Sequence, residues 1–280
     1  GVGLIQPTSA SMIIDCFDSE TAHHMMGFQS AIVGLGATMY SSTMAAIMKY
    51  DWHYAYMAYF YALGIFIIGL IGIPSFCNYL GKEEPTQKKE ETIVVKKLPR
   101  AAYIGLASQL FFMLGYGCIN TCLSLAGAEI GIDSITAAQI NSWGGMASLF
   151  GGLVFGLACK FIGIKKIGPL ALLITIAGAI VIGLNTSVSM WYVGITIGKV
   201  GFCWWMPYVN FMVNDGTDST NSAKANSMGF FGNAIGSFCF GYLFSFLGQN
   251  LLKLSYHQSF FYGSAMMFIS FIIVVAFQAK

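Results

Sequence analysis

"SFCNYLGKEEPTQKKEETIVVKKLPR", Ser75 to Arg100, is the one long charged stretch in this chain, and it decides how the rest is read. On both sides of it the sequence is a series of apolar blocks. Over all 280 residues only 9% are charged and 56% are hydrophobic. A soluble domain uses about 25% charged residues to cover its surface. This chain has too few, so its surface must face something other than water. The blocks fall at 1–15, 26–48, 53–73, 101–126, 137–161, 167–185, 190–213, 227–248 and 257–278. Most run close to the roughly 20 residues that a helix needs to cross a hydrocarbon core of about 30 Å. They lack the alternation of a strand, so they predict helices. The fold class is therefore an all-α, polytopic membrane protein with about nine transmembrane helices.

Three blocks precede the charged stretch and six follow it. That asymmetry predicts a remainder of an N-terminal six-helix bundle at 1–74, a linker at 75–100 and a C-terminal six-helix bundle at 101–280. The opening "GVGLIQPTSASMII" has no basic leader region and no cleavage site, so it predicts a helix already in progress, with three spans preceding Gly1. Basic residues set the orientation, because they accumulate in cytoplasmic loops. With the linker inside, Lys82, Lys88, Lys89, Lys96, Lys97, Arg100, Lys160, Lys165, Lys166, Lys224 and Lys280 fall inside, and only Lys49 and Lys253 fall outside. The expected location is the cell membrane, multi-pass, with linker and C-terminus cytoplasmic.

Within this apolar background one charge stands out. "GITIGKVGFCWWMPYVNF", Gly194 to Phe211, has Lys199 at its centre. Counted from the start of its block at Met190, Lys199 lies about 13 Å deep. Snorkelling does not bring an ammonium out from there, and an unpaired one at mid-membrane is costly. None of the complete blocks contains an acid. Three arrangements satisfy Lys199: a salt bridge to a helix outside this chain, a cavity where it meets an anionic or polar solute, or contact with water. Met206 and Asn210 share its face at i+7 and i+11. Gln109, Tyr116 and Asn120 repeat that spacing in the block at 101–126. Trp204 and Trp205 lie on other faces, and Pro207 marks a kink that brings one of them towards a solute. Asn141, Trp143, Tyr40 and Asn233 are further polar or aromatic candidates. Small residues recur every four positions at Gly144, Ser148, Gly152 and Gly156, and again at Ser237, Gly241 and Ser245, which suits close helix packing in lipid.

Other function classes find little support. There is no nucleophile with a base, no phosphate-binding loop and no metal-ligand spacing among the seven cysteines, so neither an enzyme nor a cofactor is expected. A single arginine, Arg100, among fourteen basic residues argues against a nucleic-acid surface.

"GLACKFIGIKKIG", Gly156 to Gly168, resembles the loop after the second helix of each half in the major facilitator superfamily of transporters. Gly156, Gly163, Lys165 and Lys166 match, whereas Lys160 occupies the acid position and Phe161 a basic one. "GVGLIQP" is similar to that family's fourth helix, and "KYDWHYAYMAYF" to the entry of its sixth, with Trp52 as anchor. The resemblance covers the chain as helices four to twelve of twelve. It implies two six-helix bundles around a central site that opens alternately to each side. It implies a gating role for the Gly156–Lys166 loop, and a cavity lined by the helices of Lys199 and Gln109, with Gln6 on another wall. The expected function is secondary active transport of a small solute, an organic anion on the strength of Lys199, by a monomer in the bilayer with a coupling proton or sodium ion. The alternatives are facilitated diffusion or exchange of a neutral sugar or nucleoside, or a receptor built on a transporter fold.

Overall fold

The computed structural model describes residues 9–10, 12–13, 16–47, 52–80, 98–217 and 221–278. Among them there are helices and turns but no strand. The helices are α1 (Ser19–Ile47), α2 (Phe60–Leu80, led by a 3₁₀ turn at Trp52–Tyr59), α3 (Arg100–Thr121), α4 (Leu123–Glu129), α5 (Ser134–Ile162), α6 (Ile164–Leu184), α7 (Val188–Val213), α8 (Ser222–Leu243, prolonged by a π-helical turn at Phe244–Leu251) and α9 (Ser259–Gln278). Among the described residues, five segments are long and apolar enough to cross a membrane: α3, α5, α6, α8 with its π turn, and α9. The chain is thus an all-α protein of multi-pass membrane type. At 29 and 26 residues, α1 and α7 are also long enough, but less apolar. These two helices carry much of the polar lining described below.

Capping side chains explain the helix starts that hydropathy misplaces. α1 begins at Ser19, ahead of the apolar block at 26, because Asp18 accepts hydrogen bonds from the Thr21 N–H (3.1 Å) and hydroxyl (2.7 Å). Asp133 caps α5 in the same way, accepting from the Ile135 and Thr136 N–H groups and the Thr136 hydroxyl. The Thr136 hydroxyl bond does most to hold the Asp133 carboxyl below its ordinary value. α5 ends at Gly163, whose φ of 86° suits glycine, and α6 starts at the next residue. The single block expected at 101–126 breaks at Cys122 into α3 and the short α4.

The chain divides into two compact units, Gly1–Ser41 with Leu98–Lys280, and Ser42–Lys97. The second contains the end of α1, the 3₁₀ turn and α2, which runs past the expected boundary at 74 and exposes Ile65, Ile68 and Ile71. Most of the expected linker, residues 81–97, lies outside the described residues. The first unit has a continuous core that includes Phe112, Trp191, Trp205, Phe240 and Phe260. α6 and α7 pack backbone to backbone: a Cβ at Gly178 would collide with the backbone of Gly194 and Gly198.

The α5 stripe of small residues serves two neighbours. Gly144 and Ser148 face α7, where the Ser148 hydroxyl donates to the Lys199 carbonyl at 3.4 Å. Gly152 and Gly156 face α1, against Gly27, Ala31 and His24. In α8 the packed small residues are Gly232 and Gly236, which meet the α3 backbone at Leu106 and Leu110. The expected face at Ser237, Gly241 and Ser245 meets nothing comparable among the described residues: a Cβ at Gly241 finds no atom within 4 Å.

Candidate functional site

α7 is positioned by its glycines. Gly194, Gly198 and Gly201 press one side against α6, which leaves Lys199, Met206 and Asn210 on another side. The Lys199 stem lies in a slot made by Gly144 of α5, where an added Cβ would sit 2.9 Å from Cγ and 3.3 Å from Cε. Its Nζ reaches over the Tyr116 ring, 5.5 Å from the centroid. Tyr116 stacks with Phe112 at 5.5 Å and with Phe202 at 4.4 Å, their planes within 14°. The ring under the ammonium is therefore fixed by its neighbours.

Among the described residues no carboxylate lies within ion-pair distance of Lys199; the one ion pair joins Lys160 to Glu20 on the surface. A cation–π contact contributes about 0.5–2 kcal/mol. Placing a lysine at a helix centre in a membrane costs about 2.5–3.5 kcal/mol even on the mildest scale. Tyr116 alone does not offset that cost, so the ammonium calls for water or a solute.

There is room for one. A cavity of about 290 Å³ is lined by α1, α3, α5, α7 and α8. Along α7 its wall runs from Lys199 to Asn210, a length of about 16 Å. Five amide side chains face it, from Gln29, Asn120, Asn141, Asn210 and Asn233, with Met113, Phe202 and Met206 between them. Asn141 Oδ1 and the Tyr116 hydroxyl are both buried without a hydrogen-bond partner. Buried polar atoms are normally satisfied, and of these two Asn141 is on the cavity wall, where water or a polar solute would satisfy it.

The structure thus brings together Lys199, Asn120, Asn141, Met206 and Asn210 of the sequence candidates, with Asn233, and sets Tyr116 beneath Lys199. Gln109 and Trp205 lie behind this wall. Trp205 Nε1 donates to Gln109 Oε1 at 2.7 Å, and Gln109 Nε2 meets the Met206 sulfur at 3.4 Å. Both side chains are almost wholly buried, so they stiffen the wall instead of lining it. Trp204 donates to the Gly151 carbonyl at 2.8 Å and ties α7 to α5. Trp143 donates to Thr196 on a shallow outer groove, away from the cavity. Tyr40 is half-buried on α1 and does not line the cavity. Gln6 lies outside the described residues.

Of the expected gating loop, Gly156 packs on the His24 ring, Gly163 makes the turn, and Lys165 and Lys166 are exposed. Lys160, which stands where the family pattern has an acid, pairs with Glu20 of α1 at 3.3 Å. That pair joins the end of α5 to the start of α1.

The α1 wall was not among the sequence candidates. Gly27, Ala31, Gly34 and Thr38 follow a 4-3-4 spacing and pack on α5, with Thr38 donating to the Gly34 and Ser142 carbonyls. One position earlier, Met26, Ser30, Val33 and Ala37 follow the same spacing and line the cavity with Gln29. That double stripe is the signal that identifies the wall. Among the described residues no cluster of His, Cys, Asp or Glu can hold a metal ion.

No protein-family model matches the chain, and no curated protein matches it.

Proposed function

We propose that this protein is a secondary transporter of a small anionic solute, which binds at Lys199 in the cavity between α1, α3, α5, α7 and α8. The observation that carries the reading is the ammonium of Lys199, deep in a helical bundle and facing a cavity with no carboxylate beside it among the described residues. A solute carboxylate or phosphate supplies the missing charge, the five amides hold its polar groups, and Phe202, Met113 and Met206 take its apolar part. Alternating access between two bundles, as the resemblance to the major facilitator superfamily implies, carries it across. The backbone contacts between α1 and α5 provide a seam along which such bundles rock.

The test is uptake into proteoliposomes of the full-length protein, with a panel of labelled monoanions and neutral analogues, and with pH and sodium gradients imposed separately. A charge-assisted hydrogen bond contributes about 1.5–3 kcal/mol. Lys199→Gln is therefore expected to weaken uptake of the preferred anion about 10- to 100-fold while the protein remains folded. Unchanged rate and half-saturation in that variant, or a panel in which only neutral solutes move, overturns the reading.

A further inference from the structure

A second cavity, of about 750 Å³, opens among the ends of α3, α6, α7 and α9. It shares no lining residue with the Lys199 cavity. Its polar rim has Arg100, Lys165 and Asp215, all exposed. Its walls are apolar: Ile104, Ile164, Phe211, Met212, Ile273 and Phe277. The end of α9 is fixed across it, because Gln278 Nε2 donates to the Tyr208 hydroxyl at 2.9 Å and to the Lys165 carbonyl.

Helix dipoles do not set the sign of this cavity. α3 and α6 begin here, whereas α7 and α9 end here, so two positive and two negative termini oppose one another. The side chains decide, and among the described residues two cations against one carboxylate leave the rim with a net positive charge. Among the described residues neither Arg100 nor Lys165 forms an ion pair with Asp215 or any other acid.

We propose that this cavity holds an anionic phospholipid, with its phosphodiester against Arg100 and Lys165 and an acyl chain along the apolar walls. The charge complements an anionic headgroup, and basic pockets between transmembrane helices are a recurring form of lipid recognition. The walls select a lipid over a soluble phosphate, because a free anion would leave that apolar surface uncovered. Arginine suits the phosphate by its planar fork of donors, and lysine as a point charge. Asp215 sits on the same rim and weakens the attraction, which fixes the sign of a test.

Full-length protein purified from dioleoylphosphatidylglycerol and dioleoylphosphatidylcholine mixtures is assayed for retained lipid by native mass spectrometry. The wild type is expected to retain phosphatidylglycerol about fivefold or more over phosphatidylcholine. Arg100→Gln with Lys165→Gln lowers that ratio towards one. Asp215→Asn raises it, a change in the opposite direction that misfolding does not produce. Excess glycerol phosphate leaves the lipid in place. Equal retention of the two lipids by the wild type, an unchanged ratio in the double variant, a ratio lowered by Asp215→Asn, or displacement by glycerol phosphate each overturns the proposal.

Discussion

Two stretches of this chain have the same small-residue pattern and meet different ends. On α5, Gly144, Ser148, Gly152 and Gly156 are all engaged, two by α7 and two by α1. On α8, Ser237 and Ser245 are exposed and Gly241 has nothing near it among the described residues, although Gly232 and Gly236 on the same helix press onto α3. A small residue every fourth position permits two backbones to approach. It does not say that they do. What distinguishes the two cases is a complementary stripe: α1 offers Gly27, Ala31 and Gly34 at matching intervals.

The largest effect should come from filling the engaged stripe. A Cβ at Gly152 would lie 2.7 Å from the Ala31 nitrogen and 2.8 Å from the Gly27 carbonyl oxygen, both backbone atoms that cannot swing aside. Gly152→Leu is expected to cost about 1–3 kcal/mol or more, seen as a lower melting temperature of the purified protein. Gly241→Leu is the paired control and should stay within about 0.5 kcal/mol of wild type. Equal losses in the two variants break the comparison.

Gly144 sharpens it at the site. There the obstructing atoms belong to side chains, the flexible stem of Lys199 and Cγ1 of Ile195 at 3.0 Å, so Gly144→Ala should leave the fold intact and move the ammonium. The expected outcome is anion uptake weakened about three- to tenfold, the equivalent of about 1 kcal/mol, with little change in melting temperature. A loss of stability matching that of Gly152→Leu would show that the slot is structural.

Glu20→Gln removes the ion pair that joins α1 to Lys160 near the end of the seam. Both partners are about two-thirds exposed, at 69% and 64%. Solvent screening limits such a pair to about 0–1 kcal/mol. The melting temperature should therefore move far less than in Gly152→Leu, and added salt should erase the difference.

The smallest effect concerns where the stripe begins. Asp133 caps α5, and its carboxyl titrates below the ordinary value. A lowered folded-state value means that the cap stabilises at neutral pH and loses that contribution as pH falls through the lowered value. Asp133→Asn keeps a capping oxygen and does not titrate. Melting curves of the wild type should fall relative to this variant on acidification below the usual carboxylate range, and parallel curves refute the assignment.

Much of this was legible in the sequence. The apolar blocks located the helices because crossing hydrocarbon demands length and low charge, which a single sequence displays. Their ends were not legible where Asp18 extended α1 through residues 19–25, which include Glu20, His23 and His24. Lys199, Met206 and Asn210 do share a wall, because spacing along one helix fixes rotation about its axis. The parallel set on α3 separated: Asn120 lines the cavity, Tyr116 supports Lys199, and Gln109 is bonded to Trp205. Spacing cannot say how closely a neighbour approaches at each level, and α7 comes close enough at Gln109 to bury it. The α1 wall needed two interleaved stripes read together, and polar residues in a less apolar helix concealed it.

The aromatic floor under Lys199 has an electrical consequence. A fixed carboxylate partner would make the empty cavity neutral; with Tyr116 under it and no carboxylate beside it among the described residues, a protonated Lys199 gives the cavity one positive charge. On the proposed reading, a monovalent anion then neutralises the cavity when it binds. The membrane field exerts about 2.3 kcal/mol per elementary charge per 100 mV, and it acts on whichever form is charged. Voltage would therefore act on the return of the empty carrier and leave the loaded crossing almost untouched.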